Sequence, residues 1–333
     1  MEGDAVTIRD VAKLAGVAVS TASRALGNGS ASAKTRLKVQ QAAEALHFVP
    51  NQAAKQLTSG KSNIVAIVVP EEPDFVFHDA FISGVVSQLA TSFASARLLP
   101  FLVLTKPHDA QGFLKLLNGS GAAGVAIASF HYTKPFADAV KEFGKPVVFI
   151  GRPHVSMQYP YVDVDSYQGG YAAGELFAKR GRKRIAIVAG PNDMLTPQLR
   201  TEGIVDAARQ FDCEIIGTVS GDYSMEHGEV GMREILEKHP EVNAVFAHSD
   251  DIAAGVYRTL HAAGKRIPED VAVIGFDNFQ TADVLTPRLT TFAQPLPAMA
   301  EAATEMLVER LETGEWKRRA VLFPARLVER ESV

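Results

Sequence analysis

Two groups of residues in this 333-residue chain have types and spacing suited to recognition chemistry. The first is charged. Asp250 follows an apolar run at 244–247, and Asp277 ends another at 271–276. Such runs are expected to form buried parallel strands, and in open parallel sheets ligands sit beyond the strands' carboxyl ends. Both carboxylates therefore point toward one cleft, where a carboxylate can accept bidentately from vicinal hydroxyls or ring N–H groups. Arg200 follows Gly190-Pro191 and a loop, near a helix start, and can donate back. Phe77 and His78, beyond the first apolar run, are candidates for a wall of the same cleft. The second group is Ser20, Thr21, Ser23 and Arg24, on a segment whose apolar side is only Ala22, Ala25 and Leu26. A thin helix carrying hydroxyls and one arginine fits a DNA major groove.

Motifs for catalysis are absent from the sequence. Gly119-Ser-Gly-Ala-Ala-Gly124 matches the dinucleotide fingerprint GxGxxG. That fingerprint works only after a strand and at the opening of a helix, where the helix N-terminus meets a pyrophosphate. Here a helical pattern at 113–117 precedes it and a strand at 124–128 follows, so a glycine-rich turn is expected. There is no Walker loop, HExxH or GxSxG. One cysteine, Cys213, leaves no internal disulfide and no multi-cysteine zinc site. The expectation is a binding protein without cofactor or metal, not an enzyme.

The elements that position these groups divide the chain. Thr7, three residues before Asp10, reads as a helix cap whose oxygen accepts from a first-turn amide. Ile8, Val11, Ala12 and Ala15 recur at helical spacing, and Gly16 permits the reversal into the next helix. Ser32 can cap a third helix with an apolar stripe of Val39, Ala42, Ala43 and Leu46. Residues 1–50 thus form a helix-turn-helix unit. Residues 51–62 have helical propensity over only about two turns, and a helix that short is unstable alone. They are expected to be a hinge helix and linker, helical only when packed on DNA or on a second copy.

From residue 63 onward apolar runs at 64–69, 98–104, 124–128, 147–150, 185–189, 244–247 and 271–276 alternate with helical segments. Parallel sheets flanked by helices follow, too many strands for one small sheet. Two lobes are expected, about 63–162 with 294–322 and about 163–293 with 323–333, with 289–294 as a return crossing.

Charge divides with the architecture. Through Ser62 eight basic residues face four acidic ones, so the segment carries +4 within a chain of net −4. A basic head on an acidic body favours nucleic acid at one end. Lys13, Lys34, Arg36 and Lys55 are candidate phosphate contacts, which position rather than specify. No apolar run approaches a membrane span, and Glu2 and Asp4 stand where a secretory leader would be apolar. A cytoplasmic protein is expected.

Taken together, these residues resemble the lactose-repressor/galactose-repressor family of bacterial transcription regulators over nearly the whole chain. The resemblance rests on Ile8-Arg9-Asp10-Val11-Ala12 with Ala15-Gly16-Val17 and Ser23-Arg24, and on Pro50-Asn51 followed by Ala54 to Leu57. In the body it rests on Arg184-Ile185-Ala186 with Gly190-Pro191, Ser249-Asp250, Gly275-Phe276-Asp277, and Thr290-Thr291 through Gln294-Pro295. It implies a DNA-binding repressor, a homodimer or a dimer of dimers on a near-palindromic double-stranded operator. A small effector would sit between two lobes of periplasmic-binding-protein type.

By position, the resemblance places Val19 and Ser20 at the start of the recognition helix and Arg24 one turn on. Thr7, Thr21, Ser23, Asn28, Lys34, Arg36, Asn51, Ala54 and Lys55 complete the DNA-facing set, and Leu57 matches a hinge leucine that wedges into the minor groove. Arg200 and Asp277 match effector contacts, Tyr223 an aromatic that stacks on the effector, Thr196 a polar contact, and Asp165 an acidic position at the lobe junction. Asp250 matches a neighbouring acidic position, either contact or structural. The effector implied is a sugar or sugar derivative, with a nucleoside as the alternative because Tyr223 could stack on a base. A solute-binding protein of periplasmic type is the other alternative for the body. The sequence departs from the family at Ala18, where a capping hydroxyl is usual, at Arg182, and at His47-Phe48. Val19 and Ser20 offer little bidentate hydrogen bonding, so base readout leans on a thymine methyl and Arg24. No leucine-heptad tail follows the body, which favours a dimer.

Overall fold

The computed structural model describes residues 6–27, 29–48, 62–106 and 109–333. Asn28, Asn51, Ala54, Lys55 and Leu57 lie outside the described residues. The chain divides into two compact units, Met1–Ser62 and Asn63–Val333.

In the first unit α1 (Ile8–Ala15), α2 (Val19–Leu26) and α3 (Ala33–Ala45) enclose a small core of Val11, Ala12, Ala15, Ala22, Ala25, Val39, Ala42 and Ala43. Gly16 ends α1 at φ 60°, a left-handed position that glycine occupies without strain. At the start of α1 the Asp10 carboxylate accepts from both the Thr7 amide (2.8 Å) and the Thr7 hydroxyl (2.7 Å). The Thr7 side chain also accepts from the Asp10 amide, so the expected cap is present and Asp10 completes it as a capping box. Ala18 gives α2 no side-chain cap, whereas Ser32 accepts from the Thr35 amide at 3.2 Å.

The second unit holds a six-stranded parallel sheet in the order β11-β5-β4-β3-β1-β2. Its strands are β1 (Ile64–Val69), β2 (Leu99–Leu104), β3 (Gly124–Ala128), β4 (Val147–Ile150), β5 (Tyr161–Val164) and β11 (Ala320–Phe323). A four-stranded parallel sheet follows the order β7-β6-β8-β9, from β6 (Arg184–Ala189), β7 (Glu214–Ser220), β8 (Ala244–Ala247) and β9 (Ala272–Ile274). β10 (Thr291–Ala293) pairs antiparallel with β12 (Arg326–Val328). The chain passes between the sheets three times, after β5, after β10 and between β11 and β12.

The central strands are short apolar runs buried on both faces, such as Gly124–Ala128, as parallel packing between helices requires. Among the described residues five strands lie outside the seven apolar runs, one of them β10 within the expected return crossing at 289–294. β7 is a half-buried edge strand interrupted by Gly217, β5 carries a buried Asp163, and β11 and β12 are short and largely exposed. One core cluster runs through both sheets, from Val65 and Ile67 to Ile187, Phe246 and Phe276. Helices α8 (Ser166–Lys179) and α9 (Leu195–Gln210) form the most intimate helix pair. No helix among the described residues is long and apolar enough to cross a membrane.

Candidate effector cleft and DNA-binding head

The carboxyl ends of both parallel sheets open on a shared cavity. Arg200, on the first turns of α9, is buried in its wall. Its guanidinium lies over the Phe276 ring, 3.6 Å from the centroid, and Nη1 donates to the His248 carbonyl. Its Nε has no partner among the described residues. The arginine is thus fixed from behind and presents unused donor capacity.

Four carboxylates line the same cavity: Asp79, Asp163, Asp251 and Asp277. Each is held by the backbone or a neighbour. Asp79 caps α5 (Ala80–Ser95) by accepting from the Ile82 amide at 2.7 Å. Asp163 accepts from the amides of Arg152 (2.9 Å) and Val164 (2.8 Å). Asp251 accepts from the Thr281 hydroxyl at 3.0 Å, and Asp277 from Gln294 Nε2 at 2.6 Å. Burial pushes the Asp79 and Asp163 carboxyls up to about 6. It pushes Asp277 well above the usual range, against the pull of Arg200. Asp277 also has φ 118°, a backbone position that non-glycine residues rarely adopt. A strained aspartate whose side chain faces a cavity is a common mark of a ligand contact. Apolar and aromatic surface from Phe81, Phe279, Met194 and Tyr223 completes the walls, with Thr196, Ser129 and Gln294 as further polar groups. Burial raises the Tyr223 phenol, so it faces a ligand as a neutral donor.

Among the cleft residues singled out from the sequence, the structure brings together Thr196, Arg200, Tyr223 and Asp277. It places four others elsewhere. Phe77 is 66% exposed at the end of α4 (Pro73–His78), whose buried residue is Val76, and His78 bonds back to the Asp74 carbonyl at 2.6 Å. Neither lines the cavity; the next residue, Asp79, does. Asp165 caps α8, accepting from the Gln168 amide at 3.0 Å. Asp250, at the start of α11 (Asp250–Ala262), is fully buried and accepts from the Thr291 hydroxyl (2.6 Å) and the Phe279 amide (2.9 Å). These bonds pin the β9–β10 region, and the neighbouring Asp251 lines the cavity.

On the head, the exposed side of α2 carries Val19, Ser20, Ser23 and Arg24, with Thr21 half-buried. The Arg24 Nε donates to the Ser20 carbonyl at 3.2 Å, which lays the guanidinium along that face. Lys13 and Lys34 are exposed. Arg36 is not a free phosphate contact. Its guanidinium donates to the carbonyls of Ala25 and Gly27 (2.8 Å each) and Gly29 (3.0 Å), closing the C-terminus of α2. Arg36→Gln should therefore destabilise the head by about 1–3 kcal/mol, the cost of unpaired part-buried acceptors. Amide exchange of α2 in the full chain would accelerate while the salt slope of DNA binding stays unchanged. Loss of about one unit of salt slope with unchanged exchange would restore the phosphate role.

The profile for bacterial regulatory proteins of the lacI family matches residues 7–51, and that for a periplasmic binding protein-like domain matches residues 175–333. The chain is 35% identical over 320 residues to the HTH-type transcriptional regulator CelR of Thermobifida fusca, covering 93% of this chain and 92% of that protein.

This chain belongs to the lacI family.

Among solved structures it is similar to a CelR–cellobiose complex, at 31% identity and TM-score 0.78 over 98% of this chain and 100% of that one. It also shares its fold with a lac repressor dimer bound to operator and the anti-inducer ONPF, at 23% identity and TM-score 0.87 over 99% of each chain. As a lacI-family protein it is a DNA-binding transcriptional regulator controlled by a small effector. The resemblance drawn from its motifs is therefore the family itself, and the head-plus-two-sheet architecture is that of the family.

Residues that sequence reasoning missed left faint signals. Asp163 interrupts the strand Tyr161–Val164, and a carboxylate in a buried strand needs a reason. Asp251 sits in a double aspartate at a helix start, where only the helix phase decides which of the two is buried. Gln294 stands in the Thr290–Pro295 motif of the resemblance without a sign that it faces the cleft, and Asp79 has no local pattern that marks it.

Proposed function

We propose that this chain is a homodimeric transcriptional repressor whose effector is a small polyhydroxylated sugar of the cellobiose class. The observation that carries this reading is the cleft itself, one fixed arginine among four carboxylates with aromatic walls. Vicinal diols donate in pairs to carboxylates and accept from a guanidinium, while sugar C–H faces rest on aromatic rings. The relative solved with cellobiose supports the same class. An effector that bridges the sheets changes operator affinity only insofar as it binds two lobe arrangements unequally. Paired heads then gain or lose the spacing that a near-palindromic operator demands.

Calorimetric titration of the full chain with cellobiose, ribose and a panel of nucleosides tests the assignment. Cellobiose should bind and shift affinity for a selected operator. Binding by nucleosides alone would replace the sugar with a base stacked between Phe279 and Tyr223. Leu57 is the proposed wedge of the hinge. Leu57→Ala should weaken operator binding at least about tenfold, because unstacking a base step costs a few kcal/mol and without the wedge the bend and the contacts that repay it are lost. Cellobiose affinity should stay within error, and an unchanged operator affinity would remove the wedge.

A further inference from the structure

A second charged group lies beside the cleft, and none of its three ionisable members lines the cavity. Glu71 follows β1 and His131 follows β3, both on the six-stranded sheet. Asp193 lies in the loop between β6 and α9, on the four-stranded sheet. The His131 ring stands between them. Nε2 is 2.8 Å from Glu71 Oε1, and Nδ1 is 2.9 Å from both oxygens of Asp193. An imidazole that meets carboxylates through both nitrogens donates through both, so it is an imidazolium. Beside it the Tyr132 amide donates to the Asp193 carbonyl at 3.1 Å, a backbone bond from one lobe to the other. The chain of contacts reaches the cavity, because Ser129, which lines it, donates to the same Glu71 oxygen at 2.6 Å.

We propose that His131 is a positioning residue, a latch whose imidazolium ties Glu71 of one lobe to Asp193 of the other and sets how readily the cleft opens. The bridge is ion-paired at both ends and only 15% exposed on the histidine side, so solvent weakens it less than a surface pair. An effector touching Ser129 would act on Glu71, and through it on the grip across the cleft.

The groups facing the ring are Glu71 and Asp193, with Ser129 bonded to Glu71 and His154 stacked on the adjacent Tyr132 at 4.0 Å. Burial opposes the charge on His131, but the two carboxylates outweigh it and raise the histidine to about 9. A histidine raised in this way contributes its full grip below its ordinary value near 6.5. That grip is lost as pH rises through about 9.

The Tyr132 amide is a built-in reporter, since its bond crosses the cleft. Hydrogen exchange is followed by mass spectrometry on the full chain with no sugar present, in the peptide spanning 129–133. In Asp193→Asn and in His131→Gln, exchange there should quicken roughly tenfold, the scale of one lost charge-assisted bond. The buried strand Ala244–Ala247 should keep its protection as the folding control. In the unmodified chain, exchange corrected for its intrinsic rate should quicken as pH passes 9, and this pH dependence should vanish in His131→Gln. Unchanged exchange at 129–133 in both variants, or a flat corrected profile through pH 9 in the unmodified chain, overturns the latch. With no sugar in the experiment, failure of the latch leaves the effector assignment standing, and failure of the sugar titration leaves the latch standing.

Discussion

Arg200→Met should abolish the response of operator binding to cellobiose while leaving ligand-free operator binding in place. The expected loss in cellobiose affinity is about a hundredfold, which corresponds to about 3 kcal/mol for truncating a buried hydrogen-bonding charge. Methionine retains much of the apolar stem and removes the guanidinium, with its contact over Phe276 and its bond to the His248 carbonyl. Arg200 is also the cation that opposes the burial of Asp277, and with the Arg152 and Val164 amides it opposes that of Asp163, so its removal should raise both carboxyls further, Asp277 most. Arg200→Lys should give an intermediate loss, since an ammonium keeps the charge but not the planar fork. Calorimetry gives the affinity and fluorescence anisotropy of labelled operator gives the coupling. Wild-type cellobiose affinity in Arg200→Met would remove Arg200 from the effector site.

Gly170→Ala should unsettle the core and the site together. A Cβ at Gly170 would lie 2.1 Å from the carbonyl oxygen of Arg200, and one at Gly203 only 2.0 Å from the carbonyl of Tyr167. These are backbone atoms of facing helices, so no side-chain rotation relieves the clash; α8 and α9 must part. Alanine in a helix ordinarily gains about 0.5–1 kcal/mol over glycine. Here the steric term decides, at about 3 kcal/mol of net destabilisation, toward the upper end for overpacking. For a unit of this size the melting temperature should fall by about 6–10 °C. Because the displaced carbonyl belongs to Arg200, cellobiose affinity should fall with it. Scanning calorimetry of the full chain checks the first expectation and titration the second. A melting temperature equal to that of the unmodified chain would mean that α8 and α9 lie farther apart than the structure places them.

These two expectations differ in how far they could be foreseen. Arg200 was legible as a donor from its place after Gly190-Pro191 and from the family resemblance. The close approach of Gly170 to it was not, because nothing in the spacing of α8 names its partner helix. Similar limits governed the acidic residues. Asp277 is marked by its place after an apolar strand. Asp250 and Asp251 share the same local pattern, yet one bonds Thr291 and Phe279 in the interior while the other faces the cavity. His78 and Asp79 are adjacent, and the turn from α4 into α5 sends only the second inward. Arg36 looked like its basic neighbours until three carbonyls around the end of α2 claimed its donors.

The sequence alone determined the element types and the family. Apolar periodicity, a left-handed glycine and runs of strand length are local properties, set by backbone sterics and by the need to bury one face. They sufficed for the helix-turn-helix at 7–26, the central strands of both sheets and the basic head on an acidic body. Tertiary structure alone decided which side chains meet. The direction of a residue at the end of a strand or helix is fixed by packing against elements far away in the chain, and no local period encodes it. Asp163 joins Arg200 in one cavity, and His131 meets Asp193 from the other sheet, for that reason.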